Sequence, residues 1–327
     1  MIISRTPLRM SFVGGGSDLP SFYRQFGGAV LSTAIDKYVY VNVNKKFDDG
    51  VRVAYSKNEE VTSVDQIQHP LVRATLRHLN IAGGVEIATI ADVPSHGTGL
   101  GSSSSFTVGL INALAANQGS YVSSDELGRL SCRMEIDICG EPIGKQDQYA
   151  AAYGGLNLIE FNRDDSVLVT PVVMHPKTRE LLFRRIIVFY TGIARSASGI
   201  LKTQSSEVAS DDVKKKTLQK MVGLTYSLRD EMQKGNLDCF GEALHENWLL
   251  KRSLTASVSS PTIDEWYDLA RQSGAIGGKI LGAGAGGFLM FYAPESTHDA
   301  IEQTLSGLRR VQFGFEPLGS RIIFYNP

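Results

Sequence analysis

Residues 94 to 105 read Pro-Ser-His-Gly-Thr-Gly-Leu-Gly-Ser-Ser-Ser-Ser, a combination suited to gripping a phosphate. Gly97, Gly99 and Gly101 let the backbone come close to a ligand. The serines after them suit the cap of a helix, and the free N–H groups of a helix start attract an anion. A hydroxyl from the four serines could also reach a phosphate-bound magnesium ion, which takes hard oxygen ligands and keeps several waters. A second group of chemically able residues runs from 135 to 149 and contains Glu135, Asp137, Lys145 and Asp147. Moving a phosphoryl group to an alcohol needs metal-bridged phosphates, a clamp on the moving group and a carboxylate beside the attacking hydroxyl. This second segment offers two of these.

The elements that must position these residues can be read around them. The glycine-serine turn lies between an apolar strand-like run, Val85 to Val93, and a helix-like run, Phe106 to Ala116, where a flexible linker would not be placed. It is not the common nucleotide cradle, since no Gly-Lys-Ser or Gly-Lys-Thr follows and no Gly-x-Gly-x-x-Gly fingerprint is present there. Val39 to Val43 and Val51 to Tyr55 read as short strands, and Asp48-Asp49-Gly50 between them reads as the turn of a hairpin. His69 to Leu79 reads as a helix. Another helix is expected from Ser124 to Ile138, with Ser123 and Ser124 as its capping signal. Gly154-Gly155 breaks the pattern before a strand at Leu156 to Phe161. An apolar strand follows at Arg185 to Tyr190, then helical composition from Lys202 to Arg271. Strands at Phe288 to Tyr292 and Arg321 to Tyr325 flank a helix from Ser296 to Leu308. Asp211-Asp212 followed by Lys214-Lys215-Lys216 reads as a solvated helix face. The layout is α+β in both halves, and the division is expected near residue 176, giving domains 1–176 and 177–327.

Bulk properties narrow the class. A chain of 327 residues exceeds what one core usually supports. The net charge of -1 and the lack of basic clusters interleaved with aromatics argue against nucleic acid as a partner. Three cysteines do not build a disulfide framework. Cys132 and Cys139 would stand about 10 Å apart on one helix, too far to bridge, and read as buried helix residues. The N-terminus lacks the layout of a signal peptide and no apolar run approaches a membrane span, so a cytoplasmic protein is expected. The histidines show no ligand spacing, zinc is not indicated, and His96 beside the turn reads as a solvated polar residue.

Three glycine-rich strings occur in order: Thr6-Pro7-Leu8-Arg9-Met10-Ser11-Phe12-Val13-Gly14-Gly15-Gly16-Ser17-Asp18-Leu19, the turn at 94 to 105, and Gly278-Lys279-Ile280-Leu281-Gly282-Ala283-Gly284-Ala285-Gly286-Gly287-Phe288. Together they resemble the three motifs of the GHMP kinases, the family of galactokinase, homoserine kinase, mevalonate kinase and phosphomevalonate kinase, over nearly the whole chain. The resemblance implies a ribosomal-protein-S5-like N-terminal domain, a ferredoxin-like C-terminal domain, and ATP and Mg2+ as the working cofactors. It assigns Pro94, Gly97, Gly99, Leu100, Gly101, Ser102, Ser103 and Ser104 to the nucleotide. Glu135 and Ser103 fall to the metal, with Ser102 and Ser104 as alternatives to Ser103. Asp147 and Arg9 become the catalytic pair, with Asp147 orienting the attacking hydroxyl. Asp18, Gly15, Gly16, Gly284 and Gly286 fall on the acceptor side. The residues also admit plainer readings: Glu135 and Asp137 as surface acids, Asp147 as a helix cap, and Arg9 as the partner of any carboxylate.

The serine turn has one residue more than the commonest family spacing between its proline and Gly-Leu-Gly. With Gly144 to Tyr149, Tyr190 to Arg195 and Glu246 to Ser253, this is most similar to the D-glycero-D-manno-heptose 7-phosphate kinases, although fucokinase domains share much of it. That similarity implies phosphorylation of an anomeric hydroxyl for bacterial surface-polysaccharide precursors. A phosphorylated acceptor needs a cationic pocket, for which Lys145, Arg195, Lys202 and Arg252 are the candidates. The adenine pocket is poorly marked, and Val61 to Gln66 with the loop before Leu71 is its expected lining. Two rival readings are a kinase for another small molecule, such as fucose or galactose, and a GHMP-fold ligand sensor without turnover.

Overall fold

The computed structural model describes residues 1–94, 97–194 and 197–327. Two sheets organise them, in agreement with the α+β expectation. The first is built on β1 (Ile2–Val13) and the long β2 (Gly28–Lys45), which pair antiparallel along most of their length. On its other edge β2 pairs with β6 (Leu156–Phe161) through its first residues and with β5 (Val85–Ala91) through its last. β3 (Val51–Ala54) and β4 (Asn58–Val61) extend the sheet beyond β5, and β7 (Val167–Pro171) extends it beyond β6. The final strand, β12 (Arg321–Tyr325), pairs with β1, so the end of the chain closes the edge of the N-terminal sheet.

One pairing differs from the sequence reading. β2 and β3 do not form a hairpin; β5 lies between them, antiparallel to β2 and parallel to β3. The turn at Asp48-Asp49-Gly50 is present, with Asp48 accepting from Gly50 N at 2.8 Å, but it is splayed. Gly84 N donates to the carbonyls of Asp49 and Gly50, while Lys46 N donates to Gly84 O. The start of β5 is thereby clamped into the gap that a hairpin would have closed.

The second sheet has the order β11 (Arg309–Val311), β8 (Ile186–Tyr190), β10 (Phe288–Tyr292), β9 (Gly277–Ile280), all antiparallel. Successive side chains of a strand point to opposite faces, and here both faces are apolar. Ile187, Phe189, Leu289 and Phe291 pack with Trp248, Ile263, Tyr267 and Ile301 on one side. Val188, Met290 and Tyr292 join a core that continues through Phe240 and Phe12 into the first sheet. The helices on this half are α6 (Pro176–Arg184), α7 (Ala197–Ser210), α8 (Asp212–Gln233), α9 (Phe240–Leu254), α10 (Pro261–Gln272) and α11 (His298–Thr304). Asp211 caps α8 by accepting from Val213 N and Lys214 N. No helix among the described residues is long and apolar enough to cross a membrane.

In the N-terminal half, α1 (Pro20–Phe26) and α2 (Pro70–His78) flank the sheet, and α3 (Ser102–Asn117) is its central helix. α3 is apolar nearly all round, as a helix buried on most sides must be, and it lies against β1 and β2. Gly109 makes that approach close. A Cβ placed there would stand 2.7 Å from Thr6 Oγ1 and 3.1 Å from Ser4 Oγ. Ser4 Oγ donates to Gly109 O at 2.8 Å and Ser105 Oγ to Pro7 O at 2.8 Å. The helix that carries the serines is thus pinned to the strand that carries Arg9. α4 (Ser124–Cys132) begins as expected, with Ser123 Oγ accepting from Glu126 N. It then widens into a π-helical turn, Arg133–Ile138, before α5 (Gln146–Tyr153).

Replacing Gly109 with valine puts a branched side chain into this seam. Overpacking of this kind costs about 1 to 3 kcal/mol. Urea unfolding of Gly109→Val is expected to show a lowered midpoint at unchanged slope, and an unaltered midpoint would mean the helix–sheet approach is looser than described.

Candidate active site

A cleft of about 480 Å³ runs between the two sheets, and all three glycine-rich strings reach it. Its lining includes Arg9, Gly16 and Asp18 from the first, Gly97 to Gly99 and Gly101 to Ser104 from the second, and Leu281 to Gly284 with Gly286 from the third. Glu135, Glu141, Gln146 and Asp147 complete one wall, while Ser198 and Leu201 of α7 and Lys251 of α9 complete the other.

The second and third strings touch backbone to backbone. A Cβ on Gly99 would lie 2.2 Å from Leu281 O, and one on Gly282 would lie 2.5 Å from Gly99 Cα. Both residues have positive φ, +74° and +77°, so no other residue type suits either position. Lys279, buried on β9, donates to the carbonyls of Ser11 and Phe12 at 2.8 and 3.0 Å and ties the third string to the first. Burial, with no carboxylate partner among the described residues, holds its ammonium well below the usual lysine range.

Arg9 stands at the junction. Its Nε donates to Asp147 Oδ1 at 2.8 Å, its Nη2 to Asp147 Oδ2 at 2.8 Å, and its Nη1 to Gly99 O at 2.6 Å. Its backbone N–H donates to Leu100 O at 3.1 Å. Such a fork on a carboxylate fixes direction as well as charge. Asp147 lies in the first turn of α5, yet its carboxylate is held by Arg9 and caps no amide there, which disposes of the capping reading.

Glu135 is buried at 1% exposure and is no surface acid, whereas Asp137 two residues on is exposed. The π-helical turn, a feature frequent at functional sites, turns Glu135 inward under the start of α3. Ser103 Oγ, Ser104 Oγ, Thr107 Oγ1 and Gln148 Nε2 all donate to its carboxylate, at 2.6 to 3.2 Å. All four are neutral donors, and burial pushes the carboxyl up to about 7. A buried carboxylate with no cation among the described residues, beside hydroxyl oxygens at a phosphate-suited helix start, is a donor set that fits magnesium.

Asp18 is buried and accepts from Gly16 N at 2.9 Å and Gln146 N at 3.3 Å. Burial raises its pKa, and the nearby Asp147 adds to the rise. Its oxygens face the same cavity as Asp147.

Other expected residues are placed differently. Pro94 is exposed and Gly15 is set back, and neither lines the cleft. Leu100 is fully buried in the core, and its contribution is the carbonyl that holds Arg9. Lys145 gives its ammonium to Asp165 at 3.1 Å and lies over the Tyr23 ring, outside the cleft lining. Arg252 pairs with Asp264 at 2.8 Å, and Lys202 is exposed. Arg195 and His96 lie outside the described residues. Val61 to Gln66 do not reach the cleft.

Three residues were missed from sequence. Lys251 lines the cleft from α9, where the buried positions Phe240, Leu244, Asn247, Trp248, Lys251 and Leu254 recur at helical spacing. A lysine on that stripe was the available signal. Gln204 of α7 is fully buried, and both ends of its amide lack partners among the described residues. It lies where a Cβ on Gly16 would stand 2.4 Å from its Nε2. Glu141 in the wall accepts from Ser198 Oγ at 2.8 Å. No sequence signal marked Gln204 or Glu141.

A glycine-rich helix start tied directly to a forked arginine–carboxylate pair in one cleft is the arrangement of a phosphoryl-transferring enzyme. The model of the GHMP kinases N-terminal domain matches residues 67–155 and that of the C-terminal domain matches residues 228–310. The chain belongs to the GHMP kinases, ATP-dependent phosphotransferases with an alcohol acceptor. It is 28% identical over 321 residues, 92% of each chain, to the D-glycero-alpha-D-manno-heptose 7-phosphate kinase of Campylobacter jejuni. The galactokinase of Pyrococcus furiosus is 26% identical over 88% of this chain and 87% of that one. The crystal structure of a D-glycero-D-manno-heptose 1-phosphate kinase from Bacteroides thetaiotaomicron is 23% identical and has a TM-score of 0.82 over the full length of both chains.

Glu135 provides a test of the buried wall. With its folded pKa raised from 4.5 to about 7, the folded state holds a proton that the unfolded state releases. The metal-free protein therefore loses stability as pH rises from about 4.5 to about 7, by up to about 3 kcal/mol from this group. Glu135→Gln is expected to be more stable than its parent at pH 8 and level with it at pH 4.5, measured by urea unfolding in chelator. Parallel pH curves for the two proteins would contradict the assignment.

Proposed function

We propose that the chain transfers the terminal phosphoryl group of ATP to the anomeric hydroxyl of D-glycero-D-manno-heptose 7-phosphate, giving the 1,7-bisphosphate for surface-polysaccharide precursors in the cytoplasm. The observation that carries this reading is the convergence of the Arg9–Asp147 pair, buried Asp18 and the serine helix start on one cleft. Similarity to the Campylobacter jejuni heptose kinase along both chains supports the acceptor.

Residues 1–176 supply the nucleotide side. The nucleotide phosphates lie against the turn from Gly97 to Gly101, where the first amides of α3 have no intrahelical partner. Magnesium is the fitting metal; Ser103 and Glu135 would hold it, and it would supply neutralisation of phosphate charge and support for the leaving diphosphate. Asp18 accepts hydrogen bonds from sugar hydroxyls, and Gly16, Gly284 and Gly286 bound the acceptor space. The attacking hydroxyl donates to Asp147, which Arg9 holds in one orientation. The acceptor oxygen bonds to the γ-phosphorus while the bond from that phosphorus to the bridging oxygen breaks. The electron pair leaves with ADP, and the hydroxyl proton passes to Asp147. A loose transition state asks mainly for this positioning and for stabilisation of charge.

A second reading is a kinase for a neutral sugar. It is favoured by the engagement of Lys145 with Asp165 and of Arg252 with Asp264, which removes two of the cations expected for an acceptor phosphate. ADP release measured on heptose 7-phosphate, the unphosphorylated heptose, fucose and galactose separates the two. Heptose 7-phosphate is expected to lead in kcat/KM by on the order of 100-fold, the scale of a few charge-assisted hydrogen bonds. A neutral sugar in first place would replace the heptose reading, and ATP binding without ADP release on any of them would mark a ligand sensor.

A further inference from the structure

Among the described residues that line the cleft, two carry a positive charge: Arg9 and Lys251. Arg9 is spent on Asp147 and Gly99. Lys251 is 4% exposed, and its ammonium, with three hydrogens to donate, makes one hydrogen bond among the described residues, to Gly282 O at 2.5 Å. No carboxylate there comes within ion-pair distance of it. A buried charge left without a partner is expensive, and a fold keeps one where an anion arrives to complete it.

The location says which anion. Gly282 and Gly99 are in backbone contact, so the carbonyl that holds Lys251 and the carbonyl that holds Arg9 belong to one junction between the nucleotide turn and the third glycine string. The charges that act on Lys251 are those of the reacting end, Asp18, Arg9 and Asp147, and buried Lys279 feels Lys251 in turn. We propose that Lys251 is a catalytic residue that binds the phosphoryl group in flight, opposite Arg9, and neutralises the charge gathering on its non-bridging oxygens. The bonds made and broken are those already given, and Lys251 keeps its protons throughout. Fixed cations aimed at developing charge in a dry cleft are among the strongest sources of rate. The proposal rests on the chain being an ATP-dependent phosphotransferase and not on the identity of the sugar.

The test compares Lys251→Met and Lys251→Arg with the parent, using near-UV circular dichroism to check folding. Two rates are read: ADP release with each accepted sugar, and slow ATP hydrolysis without any sugar. Lys251→Met is expected to lose on the order of 100-fold in kcat in both, with acceptor KM within about threefold, while Lys251→Arg recovers most of the loss. Burial holds the Lys251 ammonium down at about 8, so kcat/KM for ATP should fall in the parent above that pH and persist in Lys251→Arg. A raised KM for a phosphorylated sugar alone, at unchanged kcat, would overturn the proposal and assign Lys251 to the acceptor's own phosphate. Equal losses in both variants, accompanied by a changed circular dichroism spectrum, would make it a structural strut. Because the hydrolysis arm uses no sugar, a wrong acceptor leaves this result readable.

Discussion

The site depends on a single guanidinium. Arg9 holds Asp147 with two nitrogens and the Gly99 carbonyl with the third, while its own amide holds the Leu100 carbonyl. One side chain thus sets the distance between the carboxylate proposed to orient the acceptor and the turn proposed to hold the nucleotide. At 3% side-chain exposure it does so out of reach of bulk water, where a bidentate pair is both strong and directional. The architecture keeps it there. Ser4 and Ser105 lock β1 to α3, and Lys279 locks β1 to the third glycine string.

Around that fork the protein buries charge that the described residues do not neutralise. Asp18 and Glu135 have neutral donors, and Lys251 and Lys279 have carbonyls. In each case burial moves the pKa toward the uncharged form. Such groups oppose folding, and ligands that supply the missing charges recover the loss. On the proposed function, a cleft built this way is preorganised for a metal, a polyphosphate and a polyol together. Gln204, with both amide ends unpartnered among the described residues beside Gly16, fits the same pattern.

What could be read in the sequence was local. The serine turn, Arg9, Asp18, Glu135 and Asp147 each sit in a short string whose residue types state their chemistry, and the structure brings all five to one cavity. The strand pairing at Asp48-Asp49-Gly50 was misread because β5, more than thirty residues on, enters the gap. Lys145 looked like a free cation because Asp165, which takes its charge, lies in a distant turn after β6. A base on a long helix ordinarily faces water, and only packing shows that Lys251 lies on the buried stripe. Glu135 was found, but its burial depends on a π-helical turn that leaves no mark in residue type. Non-local contacts decided each of these outcomes.

The most direct measurement is a double-mutant cycle on kcat/KM with Arg9→Met, Asp147→Asn and the pair combined. If the two side chains work as one unit, each single change loses on the order of 10³-fold and the combination is no worse than either by more than about tenfold. Losses that multiply would show two independent contributions and contradict the central place given to the fork.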